Sequence, residues 1–307
     1  MFGSKNRTYL AREKKHVFFN PAKDDGQKQF PEENQMKKPL FKTLVLALVI
    51  ALAFSMMAGC GGDGNTEGEG NQSDGPRTDV IIATANEPPT LAPYKHSAVA
   101  STYMNLLTHD NFFRSDIETL EPVPGVIKEY EILSDKQWKF TIRDDVKFHN
   151  GEKLTTADMV ASMEYARENQ SYTSNYSNFW ESIEIIDDYN FIVNTKTVYA
   201  KTLNDMASHR ILPKSLIDSG NDFNQNPIGS GPYKFVKQTL GDSVEFEAYD
   251  EYWGGAPAIK KMTWRIIPEG SSRTIALEAG EIDMIIEVET NDLTRLQETD
   301  GITVVNI

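Results

Sequence analysis

A glycine-rich, acidic run without apolar side chains, residues 61–75, limits where this chain can fold. It reads GGDGNTEGEGNQSDG. Such a stretch cannot bury apolar surface, so it predicts a flexible tether, which we extend over 60–78. Downstream of the tether, the chain is long and apolar enough to form a hydrophobic core, since 39% of all its residues are hydrophobic. We therefore expect one folded part over 79–307.

An apolar run over 44–54 lies upstream of the tether and follows three closely spaced lysines. A charged start followed by an apolar run of roughly 7–15 residues is typical of a signal peptide, here predicted over 36–59. A membrane-spanning helix needs about 20 apolar residues. The stretch 43–59 falls a little short of that length, which leaves an uncleaved anchor as the alternative.

Cys60, the only cysteine of the chain, comes directly after this segment. It cannot form an intramolecular disulfide, and a lone cysteine in an exported chain calls for another use. The residues before it, Met57-Ala58-Gly59, resemble the bacterial lipobox, which implies lipid attachment at Cys60 and cleavage in front of it. A buried, unmodified cysteine is the alternative. Residues 1–35 precede a complete signal peptide, so we expect Met36 to be the true start and 1–35 to be a non-native or disordered extension.

The charge of the chain bears on its partners. The formal net charge is −14, and the excess of acidic residues lies downstream of residue 59. Because phosphate groups would be repelled by such a surface, nucleic acid is not an expected partner. Cationic and zwitterionic ligands remain compatible with it.

In the folded part, short segments in which apolar and polar residues alternate predict strands, and two other segments predict helices. The segment 155–166 shows a capping threonine, an acidic first turn and an apolar face, as expected of a helix. A second helix is expected to begin at Ser271 or Ser272 and to end at Gly280. Strands alternate with these helices, which predicts an α/β or α+β fold. The predicted strands are 80–86, 138–142 continued by 146–148, 191–195, 233–237, 244–248, 262–267 and 301–307.

Several segments, in order, resemble the peptide/nickel class of extracellular solute-binding proteins that serve ABC importers. Each motif alone is weak, but their order and spacing behind a lipobox are specific. Turn geometry and core packing are the expected roles of most of these residues, Tyr252 and Trp253 included. The matching segments are Asn86-Glu87-Pro88-Pro89-Thr90-Leu91-Ala92-Pro93, 140–151, 154–160, Ile228-Gly229-Ser230-Gly231-Pro232-Tyr233, Tyr252-Trp253-Gly254-Gly255 and 277–283.

The resemblance implies an α/β, periplasmic-binding-protein-like fold of type II, the large peptide-binding class. In that family two lobes close on a ligand about a hinge. Here we expect the first lobe only: a main subdomain over 79–105 and 206–290, and a β-rich inserted subdomain over 106–205. Residues 291–307 would begin the crossover to a second lobe. Family members are much longer, so the chain is expected to be an incomplete fragment that binds its ligand weakly or not at all.

The same resemblance implies a ligand site in the loop after the first strand, carried over to Asn86, Glu87, Thr90 and Tyr94. Glu87 could meet a cationic group of the ligand, and a solvent-facing loop carboxylate is the equal alternative. The two prolines at 88–89 lack N–H donors, so fewer backbone hydrogen bonds to a peptide are available there.

The function implied is that of a lipid-anchored, extracytoplasmic substrate-binding component of an ABC importer. Its expected partners are the permease with its ATPase, a small peptide or similar solute, and the membrane through the lipid on Cys60. No cofactor, metal site or catalytic group is predicted, because the five histidines are scattered and no nucleophile motif is present. A binding lipoprotein that feeds a sensor, or a surface hydrolase, are the alternatives.

Overall fold

The computed structural model describes residues 15–19, 77–169 and 176–306. Its larger sheet has seven strands in the spatial order β13-β1-β12-β2-β11-β10-β9. In chain order these strands are β1 Lys15–Phe19, β2 Asp79–Thr84, β9 Tyr233–Thr239, β10 Ser243–Ala248, β11 Lys261–Ile266, β12 Met284–Ile286 and β13 Ile302–Asn306. The predicted signal peptide, Cys60 and most of the tether lie outside the described residues.

Strand β2 is central in the parallel part of this sheet. It pairs in parallel with β11 on one side and with β12 on the other. The hairpin β9–β10 continues the sheet in antiparallel fashion beyond β11. At the opposite end, β1 lies in parallel between β12 and β13. This strand lies within residues 1–35, which were expected to be a non-native or disordered extension.

Helices cover the large sheet on both faces. Helix α1 (Val99–Thr108) packs on one face, where Met104 joins a core with Val244 and Phe246. Helices α5 (Gly270–Ala279) and α6 (Thr290–Glu298) cover the other face through Leu277 and Leu296. No helix within the described ranges is long and apolar enough to cross a membrane.

A smaller, four-stranded antiparallel sheet is formed by residues 127–195. Its order is β5-β6-β8-β7. Helix α2 (Thr156–Glu168) packs on it through Met159 and Met163, which share a core with Phe140 and Phe191. The strands are β5 Ile127–Ser134, β6 Gln137–Ile142, β7 Trp180–Asp187 and β8 Asn190–Thr195. Two short strands, β3 (Arg114–Ser115) and β4 (Pro122–Val123), and two short helices, α3 (Thr202–Ala207) and α4 (Lys214–Asp218), complete the described elements.

Both predicted helices are confirmed, and the reasons are local. At the start of α2, the Asp158 carboxylate accepts a hydrogen bond from the backbone N–H of Thr155 at 2.8 Å. This contact satisfies one donor that helix formation leaves unpaired. At the end of α5, Gly280 adopts a φ of +79°, the left-handed conformation that closes many helices.

The strand predictions are confirmed except at one place. Residues 146–148 do not continue β6, which ends at Ile142. They enter a tight loop instead, because the N–H of Phe148 donates to Glu152 O and that of Leu154 donates to Val146 O. Val146, Phe148 and Leu154 are buried in the small-sheet core, which explains why they had the apolar pattern of a strand.

Candidate functional site

The loop after β2, predicted to line a ligand cleft, is tied to its surroundings by side-chain hydrogen bonds. Glu87 is half-buried, and its Oε1 accepts hydrogen bonds from Gln238 Nε2 at 3.1 Å and from the N–H of Gly241 at 3.2 Å. These two donors belong to the β9–β10 hairpin, so Glu87 fastens the loop to the sheet. Asn86, next to it, is exposed.

Thr90 holds the middle of the same loop. Its hydroxyl donates to Asn224 Oδ1 at 2.8 Å and accepts from the N–H of Ala92 at 3.1 Å. Its carbonyl accepts from Ser101 Oγ in α1 at 2.6 Å. These contacts hold the loop in place, so little conformational entropy would be lost if a ligand bound there.

Tyr94 faces the interior rather than a cleft. It is buried, its backbone φ is +67°, and burial raises the pKa of its phenol well above the usual range. Its hydroxyl donates to the carbonyl of Arg210 and accepts from the N–H of Arg210, each at 2.5 Å. Tyr94 therefore positions the backbone of Arg210, and it exposes almost no surface for a ligand.

The crossing between the two sheets is where Arg210 lies. The chain passes from the large sheet to the small one through residues 109–112 and returns through 209–212. The two passages pair in antiparallel fashion at Asn111 and Arg210. The N–H of Phe112 donates to His209 O at 3.2 Å, and the N–H of Ile211 donates to Asp110 O at 3.0 Å. Backbone pairing thus fixes the direction of the side chains at this crossing.

A pocket of about 450 Å³ opens beside this crossing. Its lining is mixed, with hydroxyl, amide and aliphatic groups around one positive charge. The lining residues are Asn111, Ser115, Leu120, Pro122, Tyr176, Asn204, Ala207, Ser208 and Arg210.

The guanidinium of Arg210 is the charged group of this pocket. Its Nη1 donates to Asn111 Oδ1, a neutral acceptor. Burial lowers the pKa of Arg210, and the nearby groups that favour its charge are the phenols of Tyr94 and Tyr176. Burial also raises the pKa of both phenols, so they are uncharged at neutral pH. Among the described carboxylates, none forms an ion pair with Arg210. A partly buried cation with neutral partners favours an anionic ligand group, which a guanidinium can bind through two parallel hydrogen bonds.

Two buried histidines, His109 and His209, lie at the crossing, and a partly buried one, His149, lies close to His109; all three remain neutral near pH 7. Burial lowers the pKa of His109 well below its usual range, with His149 and Arg210 adding to the effect. Burial likewise lowers the pKa of His149 and of His209 to about 4. These rings therefore add no positive charge beside Arg210.

Asp110, the acidic residue next to Asn111, is engaged elsewhere. Its carboxylate accepts from Tyr252 Oη at 2.8 Å and from Trp253 Nε1 at 2.9 Å. The Tyr-Trp motif therefore anchors its loop to the crossing, and Trp253 also packs against the small-sheet core, as expected. Gly229 and Gly231 also act structurally, since a Cβ on either would lie 2.3–2.5 Å from backbone oxygen of residues 107–108.

The sequence predicted a ligand site in the loop at 86–94, which stays a prediction, and it did not point to Arg210, Asn111 or Tyr176. No spacing in the sequence marks these three, because two of them meet only when distant crossing segments pair. No group of three or more histidine, cysteine, aspartate or glutamate side chains that could hold a metal ion is found in the described part of the chain.

Comparison with known proteins gives a consistent result. Residues 121–307 match the sequence model of "Bacterial extracellular solute-binding proteins, family 5 Middle". The chain is 25% identical over 262 residues to the oligopeptide-binding protein AppA of Bacillus subtilis, covering 81% of this chain and 48% of that protein. It is 29% identical over 171 residues to the nickel-binding periplasmic protein of Escherichia coli, covering 53% and 33%.

Solved structures agree with the predicted fold. The Campylobacter jejuni NikZ structure, in complex with Ni(L-His), superposes with a TM-score of 0.65 at 27% identity, covering 73% of this chain and 46% of that one. Bacillus subtilis AppA in complex with a nonapeptide gives a TM-score of 0.66 at 24% identity, covering 74% and 47%. The predicted α/β, periplasmic-binding-protein-like fold is thereby confirmed. The chain spans about half the length of the curated relatives it matches.

Proposed function

The chain belongs to family 5 of the bacterial extracellular solute-binding proteins, and from that premise we propose that it acts as the substrate-binding component of an ABC importer. The pocket beside the crossing of the two sheets carries this proposal. It combines a partly buried, positively charged Arg210 with neutral polar neighbours, in a scaffold whose relatives are named for the peptides and nickel that they bind. This lobe would hold an anionic group of a small solute, such as the carboxylate of a peptide or of a metal chelate.

The loop after β2 would form a second part of the site. Asn86 is exposed and free to meet the solute, while Glu87 and Thr90 have part of their hydrogen-bonding capacity engaged by the protein. Tyr94 would act indirectly, by holding the backbone of Arg210. We further propose that β2 and β9–β12 of the large sheet belong to the main subdomain, 79–105 with 206–290, that 291–307 begins the crossover to a second lobe, and that the small sheet is the inserted subdomain, 106–205.

Anchoring and partners complete the proposal. Cleavage after residue 59 and a lipid on Cys60 would hold the folded part at the outer face of the membrane by its tether, 60–78. A permease with its ATPase would receive the solute there. Solute capture followed by delivery needs no bond-making chemistry from the chain, in keeping with a family of binding proteins.

A ligand screen on the full chain tests the solute-binding role. Saturation-transfer NMR detects weak ligands, and the panel would contain di- and tripeptides, their amidated forms, nickel with histidine, and sugar acids. We expect hits that carry a carboxylate and that lose their signal when the carboxylate is amidated. Equal signals from acids and amides would contradict an anion site at Arg210.

A further inference from the structure

The turn of the β3–β4 hairpin is held rigidly although it is exposed. Asp116 Oδ1 accepts hydrogen bonds from the N–H of Glu118 at 3.0 Å, from the N–H of Thr119 at 2.8 Å and from Thr119 Oγ1 at 3.0 Å. The backbone closes around them, since the N–H of Asp116 donates to Glu121 O at 2.9 Å. A carboxylate that accepts several local donors is a common way to order a turn.

Leu120, near the end of this turn, has an unusual backbone conformation and a high exposure. Its backbone φ is +59°, and its side chain is 74% exposed. A left-handed backbone is unfavourable for leucine, and glycine or asparagine would suit the position better. Unfavourable conformations of this kind persist where neighbouring contacts enforce them, and they are concentrated at binding sites.

The side chain of Leu120 lines the same pocket as Arg210. Pro122, which follows it in β4, and Ala207 of α3 are the other aliphatic groups of the lining. Ile117 belongs to the same turn and is even more exposed, at 89%, yet it does not line the pocket. Leu120 therefore lines the pocket because of its position in the turn, and not merely because it is exposed.

We infer that the β3–β4 hairpin is the specificity-determining wall of this pocket, an inference that rests on the proposed function. The solutes that bind in the pocket would carry an apolar group next to the anionic one. The anion would bind Arg210, and the apolar group would lie against Leu120, Pro122 and Ala207. A purely hydrophilic anion of the same size would bind more weakly, since it would gain nothing from this wall.

A series of straight-chain carboxylates, from acetate to octanoate, tests this inference on the ¹⁵N-labelled full chain. Dissociation constants would be measured by NMR titration of the amide signals of Asn111 and Ala207. A fully buried methylene improves affinity by about fourfold, and a partly open pocket should give about twofold for each methylene. We expect this gain over the first several members of the series.

Two variants test the contribution of the apolar wall separately from that of the charged group, Arg210. Leu120→Asn removes the apolar wall and favours the left-handed backbone, so the turn should stay folded, as checked by circular dichroism and thermal unfolding. We expect it to bind acetate like the parent chain while losing most of the gain with chain length. Ile117→Asn, the matched control on the same turn, should keep that gain.

Four outcomes would overturn the inference. If Leu120→Asn keeps the full gain with chain length, or if Ile117→Asn loses it equally, the hairpin is not the wall. If the parent chain binds the series without any dependence on length, the apolar requirement is wrong while the anion site stands. If no member binds at all, the anion site of the proposed function fails as well.

Discussion

Acidification should weaken the crossing between the two sheets, and His209 allows the size of the effect to be worked out. Its ring is fully buried, and Nδ1 bonds to Asp205 O at 2.8 Å. Phe112 and Tyr176 pack against the ring at centroid distances of 5.3 and 5.2 Å. Nε2 has no hydrogen-bond partner among the described residues, so a proton added there would be charged and unpaired.

The direction of the effect follows from the two pKa values. Burial lowers the pKa of His209 from 6.5 to about 4 in the folded chain. Because the unfolded chain binds the proton more readily, the stabilisation is complete above pH 6.5 and is lost as the pH falls toward 4. A pKa difference of this size corresponds to on the order of 3 kcal/mol in the free energy of unfolding.

Urea unfolding of the parent chain and of His209→Asn between pH 7 and pH 4 measures this term. Asparagine can still donate a hydrogen bond to Asp205 O, but it packs less well than histidine and does not titrate. The loss of packing acts at every pH, whereas the pH dependence contributed by His209 is absent from the variant. We expect the stability difference between the two chains to shrink by about 2–3 kcal/mol as the pH falls to 4. A difference that stays constant with pH would refute the reasoning.

Two further predictions concern the motif glycines and the lipid anchor. Gly231→Ala should lower the free energy of unfolding by about 1–3 kcal/mol, because its Cβ would lie 2.5 Å from Leu107 O. The control Gly220→Asn, at a positive φ with open space around it, should change the free energy of unfolding little. Equal effects of the two substitutions in chemical denaturation would contradict the packing argument. Cys60→Ala should abolish incorporation of an alkyne-labelled fatty acid into the chain expressed in a bacterial host, whereas undiminished labelling of the variant would place the lipid elsewhere.

The parts of the fold that were predictable depend on strong local signals. The capping of α2 by Thr155 and Asp158, and the glycine that ends α5, are determined by neighbours within a few residues. Strands β5 and β7 were missed because all but the first residue of each are partly or fully exposed, so neither has an alternating pattern that marks a buried face. Strand β12 has three residues, too few for any period to be visible.

The candidate site was harder to predict than the fold, and Tyr94 shows why. The family resemblance placed it correctly in the loop after β2, but the direction of a side chain depends on packing across the molecule. In the structure it turns inward to Arg210, a residue 116 positions further along the chain. Arg210 itself lies in no motif, and its importance rests on the lack of a described carboxylate beside it, which only the folded chain reveals.

The most direct test of the account is the affinity of the full chain for the strongest solute of the NMR screen, measured by calorimetry with Arg210→Gln. Arg265→Gln, a partly exposed arginine on β11 that does not line the pocket, is the matched control. Loss of a charged hydrogen-bonding partner should weaken binding about tenfold or more. We predict that loss for Arg210→Gln and unchanged affinity for Arg265→Gln. Equal affinities of the parent chain and Arg210→Gln would contradict the claim that this pocket captures the solute.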